Sequence, residues 1–312
     1  MTMYADVASP LDEALLSCLA PADSHGRVRS TILVQDSLQL SGMFVVQASL
    51  RRALQAGQQV PTVLVAVEHS ADRYKQMLRK LGLPLQPFLD SGQLMIESAP
   101  EPLPSHTQPC PSALQQLVQR LHVLCLAKTS QPRQQAESGK QGGAGQAGKQ
   151  FLGERRDGAA PAGLTMVIDS LSDLVPLATS AQEWMTFVAY CTALGANLAG
   201  RMTQVLRVHL DVPDDQRWVG WLAHHANLVL EVQPLAGPIA DIDGQVLLSF
   251  RRAVSPVVLG GSQADGERQS KADIAAAVLA RPLPEPSRLY FRGAETGIKW
   301  FRTLVAQDLL WR

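Results

Sequence analysis

Apolar positions along this chain follow two spacings in alternation, one near 3.6 residues and one that is continuous or strictly alternating. Leu11–Leu19 has apolar residues at 11, 14, 15 and 19, a helical spacing stopped at Pro21, and Ala22–Ser30 is a polar loop. Thr31–Gln35 reads as a first strand. A helix over Met43–Ala56 follows, with Val46, Leu50, Ala53 and Leu54 on one face and Gly57 at its end. Val60–Val67 is a strand apolar on both faces, as at the centre of a parallel sheet. Ser70–Leu81 is an amphipathic helix with Ser70 as N-cap and Gly82 just past its end. Gln93–Glu97 is a short strand, the proline-rich Ala99–Pro111 is irregular, and Ser112–Ala127 is a helix with apolar residues at 114, 117, 118, 121, 124 and 125.

The second half repeats the alternation. Leu164–Ile168 is a strand closed by Asp169, and Leu171–Leu194 is a helix or helix pair broken at Pro176. Met202–Val212 is a strand and Asp214–His225 a helix. Asn227–Val232 and Gln245–Arg252 are strands whose Asp243-Gly244 signals a hairpin. Arg288–Phe291 and Ile298–Phe301 close the chain as edge strands or a hairpin. Two stretches interrupt the pattern. Lys128–Gly163 is dominated by Gln, Gly, Ala and Ser, and is expected to be a disordered insertion; Ser255–Asp273 is expected to be a flexible loop. The prediction is one α/β domain over 1–312, a mostly parallel sheet with helices on both faces and C-terminal antiparallel strands.

The turn between the first strand and its helix aligns with the phosphate-binding pattern G-x-x-x-x-G-K-[ST]. Only the last glycine, Gly42, is in place. Ser37 stands at the first glycine position, Met43 at the lysine and Phe44 at the hydroxyl. A lysine neutralises phosphate charge and a hydroxyl holds magnesium; a thioether and a phenyl ring do neither. No cofactor is therefore expected.

Composition narrows the function classes without choosing among them. Lys+Arg 28 against Asp+Glu 28 leaves no net charge, so bulk electrostatics draws the chain to neither nucleic acid nor membrane. Basic candidates for nucleic acid are the insertion, Arg51-Arg52, Arg79-Lys80 and the turn around Arg217, each more often a solvated face than a binding patch. Cys18, Cys110, Cys125 and Cys191 are scattered with no C-x-x-C pair, which fits thiols in a reducing compartment rather than a disulfide frame or zinc site. No apolar run approaches the roughly 18 residues that span a bilayer. The expected location is the cytoplasm, with the nucleus as a second site.

A few residues have the placement for chemistry. Asp169 ends an apolar strand, where nucleotide hydrolases keep a magnesium-directed aspartate, and it equally suits a cap or structural role. Glu68 and His69 follow the second strand at its carboxyl end, where open α/β sheets bind ligands; with nothing beside them to hold a phosphate, a structural role is favoured. His224 and His225 point apart on their helix, a poor shared metal site, and suit the helix C-terminus. Trp218 and Trp221 share a face for core packing or a subunit interface. No catalytic set emerges.

The order strand, loop, helix and strand ending in Glu68-His69, followed by YKQMLRKLGL, resembles the core of RecA-type ATPases. In that match Glu68 takes the glutamate position and Asp169 the metal position. The segments LVQDSLQLSGMFVVQASLRRALQAG, VPTVLVAVEHS, SGQLMIES, MVIDSLSDLVPL, EWMTFVAYC, WLAHHANLVLEVQPLAG, DIDGQVLLSFRR and LYFRGAETGIKWF resemble the Elongator complex protein 6 family. That resemblance implies a non-catalytic RecA-fold subunit. It implies assembly with Elongator complex proteins 4 and 5 in a hetero-hexameric ring, docking on the catalytic Elongator subcomplex, and contact with tRNA during wobble-uridine (U34) modification. It singles out no residue for tRNA. The alternatives are an ATPase using Glu68 and Asp169, and a DNA-binding recombination mediator.

Overall fold

The structure is a computed structural model. It describes residues 30–55, 60–100, 111–129, 163–197, 202–211, 216–235, 237, 242–250, 287–294 and 297–301, together with Leu11 and Leu15. The expected insertion at 128–163, apart from its ends, and the expected loop at 255–273 lie outside the described residues.

β1 (Ser30–Asp36) leads through a short loop into α1 (Met43–Gln55), then β2 (Thr62–Ala66). α2 (Ala71–Lys80), the five-residue α3 (Gln86–Asp90) and β3 (Leu94–Ser98) follow, then α4 (Ala113–Thr129). β4 (Leu164–Ile168), a 3-10 turn (Ser172–Leu177), α5 (Ala181–Asn197), β5 (Met202–His209) and α6 (Gln216–His225) complete the helical part. β6 (Leu228–Gln233), β7 (Gly244–Phe250), β8 (Ser287–Ala294) and β9 (Gly297–Phe301) finish the order. The strands form one sheet in the order β3-β2-β4-β5-β1-β6-β7-β8-β9. Pairing is parallel from β3 to β6 and antiparallel from β6 to β9. This is the α/β class that the sequence predicts, a mostly parallel sheet extended by C-terminal antiparallel strands.

The central strands are apolar throughout because both faces are covered. Successive side chains of a strand point to opposite sides. Leu33, Val63, Val65, Met166, Ile168 and Leu206 pack with α4, α5 and α6, whereas Ile32, Val34, Leu64, Ala66, Val167 and Val205 pack with α1 and α2. Leu11 and Leu15 are helical and buried in the second of these layers. The caps of α2 are as expected: the Ser70 hydroxyl accepts from the Arg73 amide at 3.3 Å, and Gly82 has φ +78° beyond the last turn.

Three details depart from the sequence expectation. Pro176 lies inside the 3-10 turn, and the break before α5 falls at Ser180, whose hydroxyl accepts from the Glu183 amide at 3.1 Å. β5 ends at His209 rather than at 212; its last residue gives its amide to the Ser172 hydroxyl at 3.0 Å, and the next amide, Leu210, goes to the Asp36 carbonyl at 2.8 Å. β6 and β7 form the expected antiparallel hairpin, but its connection is longer than a two-residue turn at Asp243-Gly244: β6 stops at Gln233 and β7 begins at Gly244. Gly244 is required by packing. A Cβ there would lie 2.6 Å from Leu40 Cδ2, 2.9 Å from the Gln233 carbonyl oxygen and 3.0 Å from Phe291 Cζ.

Candidate functional site

The carboxyl ends of β1, β2, β4 and β5 converge on the loop 37–42, the edge at which open α/β sheets bind ligands. Gly42 is tightly enclosed, since a Cβ would meet Val34 Cγ1 at 3.0 Å and Asp36 Oδ2 at 3.2 Å. The amides such a loop would turn toward a phosphate are already committed. Leu38 N–H donates to Asp211 Oδ2 at 2.8 Å, Leu40 N–H to the Ser37 carbonyl at 3.2 Å, Gly42 N–H to Asp36 Oδ2 at 2.5 Å and Met43 N–H to Ser41 Oγ at 3.2 Å. The side chains at the two diagnostic positions turn away. Met43 is buried with its sulfur 3.5 Å from the Tyr74 hydroxyl, and Phe44 packs against Phe291 and Trp300 at centroid distances of 4.7 and 5.8 Å.

At the centre of this edge lies a cation from the chain itself. Arg207, near the end of β5, is 1% exposed. Its Nε donates to Asp36 Oδ2 at 2.6 Å, and its Nη1 donates to Glu68 Oε2 and to the Asp169 carbonyl, the latter at 3.1 Å. Its Nη2 reaches Ser41 Oγ in the loop at 3.1 Å. Burial pulls its pKa down, but the Asp36 charge and the bonds to Glu68 and Asp36 outweigh it and raise the value. The guanidinium stays charged. His209, two residues on and therefore on the same face, meets the other oxygen of Asp36 with Nδ1 at 2.7 Å. That bond holds the imidazole above its ordinary range against the opposing effect of burial.

Asp169 is fully buried and serves the β2–α2 connection. Its Oδ1 accepts from the Val67 amide at 2.7 Å and its Oδ2 from the Tyr74 hydroxyl at 2.8 Å. Burial raises its pKa, opposed by these bonds, and burial with the neighbouring carboxylate raises that of Tyr74. Of its two bland roles, the structural one holds and the cap does not: Ser170 Oγ, not Asp169, accepts from the amide of Asp173 at the start of the 3-10 turn.

Glu68 thus joins the cluster as a partner of Arg207, while His69 turns Nδ1 to the Glu68 carbonyl at 3.0 Å. His225 Nδ1 contacts the Trp221 carbonyl at 2.8 Å and its ring packs on Trp221 at 4.3 Å. Trp218 is buried edge-on to Trp184 at 5.1 Å, which is core packing. The structure therefore brings Glu68, Asp169 and the loop together and leaves His224, His225 and both Trp residues apart. Asp36, Arg207 and His209 escaped the sequence reading. The available signal was two ionisable residues at i, i+2 in MTQVLRVHLDV, an otherwise apolar strand.

Among curated proteins no relative matches this chain. Among solved structures the chain is similar to a KaiC-like protein from the hyperthermophilic archaeon Pyrococcus horikoshii OT3. That match has 11% identity, covers 87% of this chain and 89% of the other, and has a TM-score of 0.47. Residues 13–265, most of the chain, match the family described as Elongation complex protein 6. The chain belongs to that family and is thereby a subunit of Elongator.

Proposed function

We infer that this chain is a non-catalytic RecA-fold subunit that assembles with Elongator complex proteins 4 and 5 into a hetero-hexameric ring. The ring docks on the catalytic Elongator subcomplex and holds tRNA during wobble-uridine (U34) modification, in the cytoplasm and nucleus. The observation that carries the non-catalytic part is Arg207. Its guanidinium is fastened to the loop at Ser41 and to Asp36 and Glu68, so the positive charge at this edge is spent on the protein's own carboxylates. With Met43 and Phe44 packed inward, the loop is a degenerate phosphate loop that keeps its backbone and offers a nucleotide neither lysine nor metal hydroxyl. A RecA-type subunit meets its neighbour at this edge, and Leu38, 77% exposed at the loop's tip, gives that boundary an apolar contact.

The test is native mass spectrometry of the chain co-expressed with the two partner subunits, followed by ATP turnover on the product. A hexamer with two copies of each subunit supports the ring, and tRNA binding that weakens with salt supports the RNA role. A monomer or homo-oligomer overturns ring assembly. Magnesium-dependent ATP turnover abolished by Glu68→Gln overturns the non-catalytic reading in favour of the divergent ATPase.

A further inference from the structure

A second constellation at the same edge shares Glu68 and His209 with the Arg207 cluster and adds Asp173. Glu68 follows β2, Asp173 stands in the 3-10 turn after β4, and His209 ends β5. One carboxylate oxygen from each acid and one ring nitrogen of His209 lie within 4.8 Å of one another. We propose that Glu68, Asp173 and His209 form a binding site for a divalent first-row transition metal ion.

His209 is the most constrained of the three residues. Its side chain is 7% exposed and its Nδ1 is held by Asp36 Oδ1 at 2.7 Å. Among the described residues Nε2 makes no hydrogen bond, although the ring is almost entirely buried. A histidine that binds a metal through one nitrogen characteristically gives the other N–H to a carboxylate, which fixes the tautomer and the ring plane. Asp36 supplies that carboxylate, so Nε2 is left as the lone-pair donor. Glu68 gives one oxygen to Arg207 and keeps the other for the ion. The Asp173 side chain is exposed, and its backbone is anchored by the Ser170 hydroxyl at 3.3 Å.

Charge balance points the same way. The carboxylates of Asp36, Glu68 and Asp173 share this cluster with the single guanidinium of Arg207. Three carboxylates outnumber one guanidinium, and a dication offsets the excess. Asp169 takes no part, since the Val67 amide and the Tyr74 hydroxyl occupy its oxygens. The site is thus separate from the aspartate that a magnesium nucleotide would use.

One imidazole and two carboxylates suit borderline ions such as Zn²⁺ and Mn²⁺, with further positions filled by water. Mg²⁺, which favours all-oxygen shells and dehydrates reluctantly, fits them poorly. The three ligands come from segments distant in the chain, so the ion pins β2, the 3-10 turn and β5 together. The proposal does not rest on ring assembly.

The experiment is calorimetric titration of the full-length chain, stripped by chelator and dialysed, with ZnCl₂ and separately with MnCl₂, and with MgCl₂ as the control. Saturable one-site binding of Zn²⁺ or Mn²⁺, much weaker for Mg²⁺, is expected. Asp173→Asn removes an exposed ligand without disturbing the core, and weakens binding by at least about tenfold, the scale on which even outer-shell changes act. The bound ion also raises the melting temperature of the wild type and not of that variant. Absence of saturable binding overturns the proposal. So does Asp173→Asn binding as tightly as wild type, which would put the ion elsewhere, for example at His224 and His225.

Discussion

Replacing Arg207 by Met tests whether the charge cluster holds this edge of the sheet together. Methionine fills comparable volume, so the loss is electrostatic rather than a cavity. Arg207 and Asp36 are 1% and 0% exposed, and removing one partner of a buried pair leaves the other charge without compensation, at a cost of about 3–5 kcal/mol. The arm to Glu68 adds little, because that carboxylate is 29% exposed and water screens it. Asp36 retains the Gly42 amide and His209, which keeps the loss toward the lower figure. At about 2–4 °C per kcal/mol for a large domain, the melting temperature falls by roughly 6–20 °C. Urea unfolding followed by the fluorescence of the buried Trp184 and Trp218 reads the same quantity. Arg207→Lys keeps the charge but lacks the fork that reaches Asp36, Glu68 and Ser41 at once, and falls between the two. Removing both charges, Arg207→Met with Asp36→Leu, recovers part of the loss. A single Arg207→Met variant within about 1 kcal/mol of wild type, well under the buried-pair cost, refutes the reasoning.

Three further outcomes follow from other parts of the fold. Gly244→Ala places a methyl 2.6 Å from Leu40 and 2.9 Å from a backbone carbonyl, and lowers stability by about 1–3 kcal/mol in urea; no change would mean that β7 and the loop are not packed this closely. Burial pushes the Cys125 and Cys191 thiols up to about 11 and about 12, so iodoacetamide at pH 8 leaves both unmodified in the native chain and labels them in urea, as peptide mass spectrometry will show. Slight burial works against ionisation of Glu183, but bonds from Ser112 and from the hydroxyl and amide of Thr179 prevail and lower its pKa. A depressed folded-state pKa adds stability above the unfolded value that is lost as pH falls through the folded one. The stability difference between wild type and Glu183→Gln is therefore present at neutral pH and shrinks on acidification; a difference independent of pH would sink the assignment.

Much of the fold was legible because burial on both faces leaves a plain mark. VPTVLVAV and LTMVI are apolar without alternation, and only a strand covered by helices on either side tolerates that. Ser70 and Gly82 marked the ends of α2 through chemistry local to the backbone. The cluster was not legible in the same way. Asp36 and Arg207 are 171 positions apart, and nothing in either segment names the other. They meet because β1 is inserted between β5 and β6, with Val34 opposite Arg207 and Asp36 opposite His209. Strand order is set by crossover connections, which hydrophobic periodicity does not encode. Asp243-Gly244 marked the β6–β7 hairpin correctly but not the length of its connection. The dipeptide fits a tight turn, but a tertiary contact with Leu40 and Phe291 explains the glycine instead.

What the sequence did offer was an anomaly at fixed spacing. A strand buried on both faces excludes charge unless a partner waits across the sheet. Arg207 and His209 lie two residues apart, on one face, at the carboxyl end of such a strand. That placement demands an acid on the neighbouring strand at the same height, and Asp36 is the residue that ends a buried strand in the same way. The cation at this edge is therefore Arg207 of β5, and the loop, with Met43 and Phe44 packed inward, supplies none. An edge lined by the carboxylates of Asp36 and Glu68 needs a cation, and where no metal-bound phosphate brings one, the chain must carry it. A chain so arranged holds the carboxyl end of its sheet together through its own charges, with no nucleotide required.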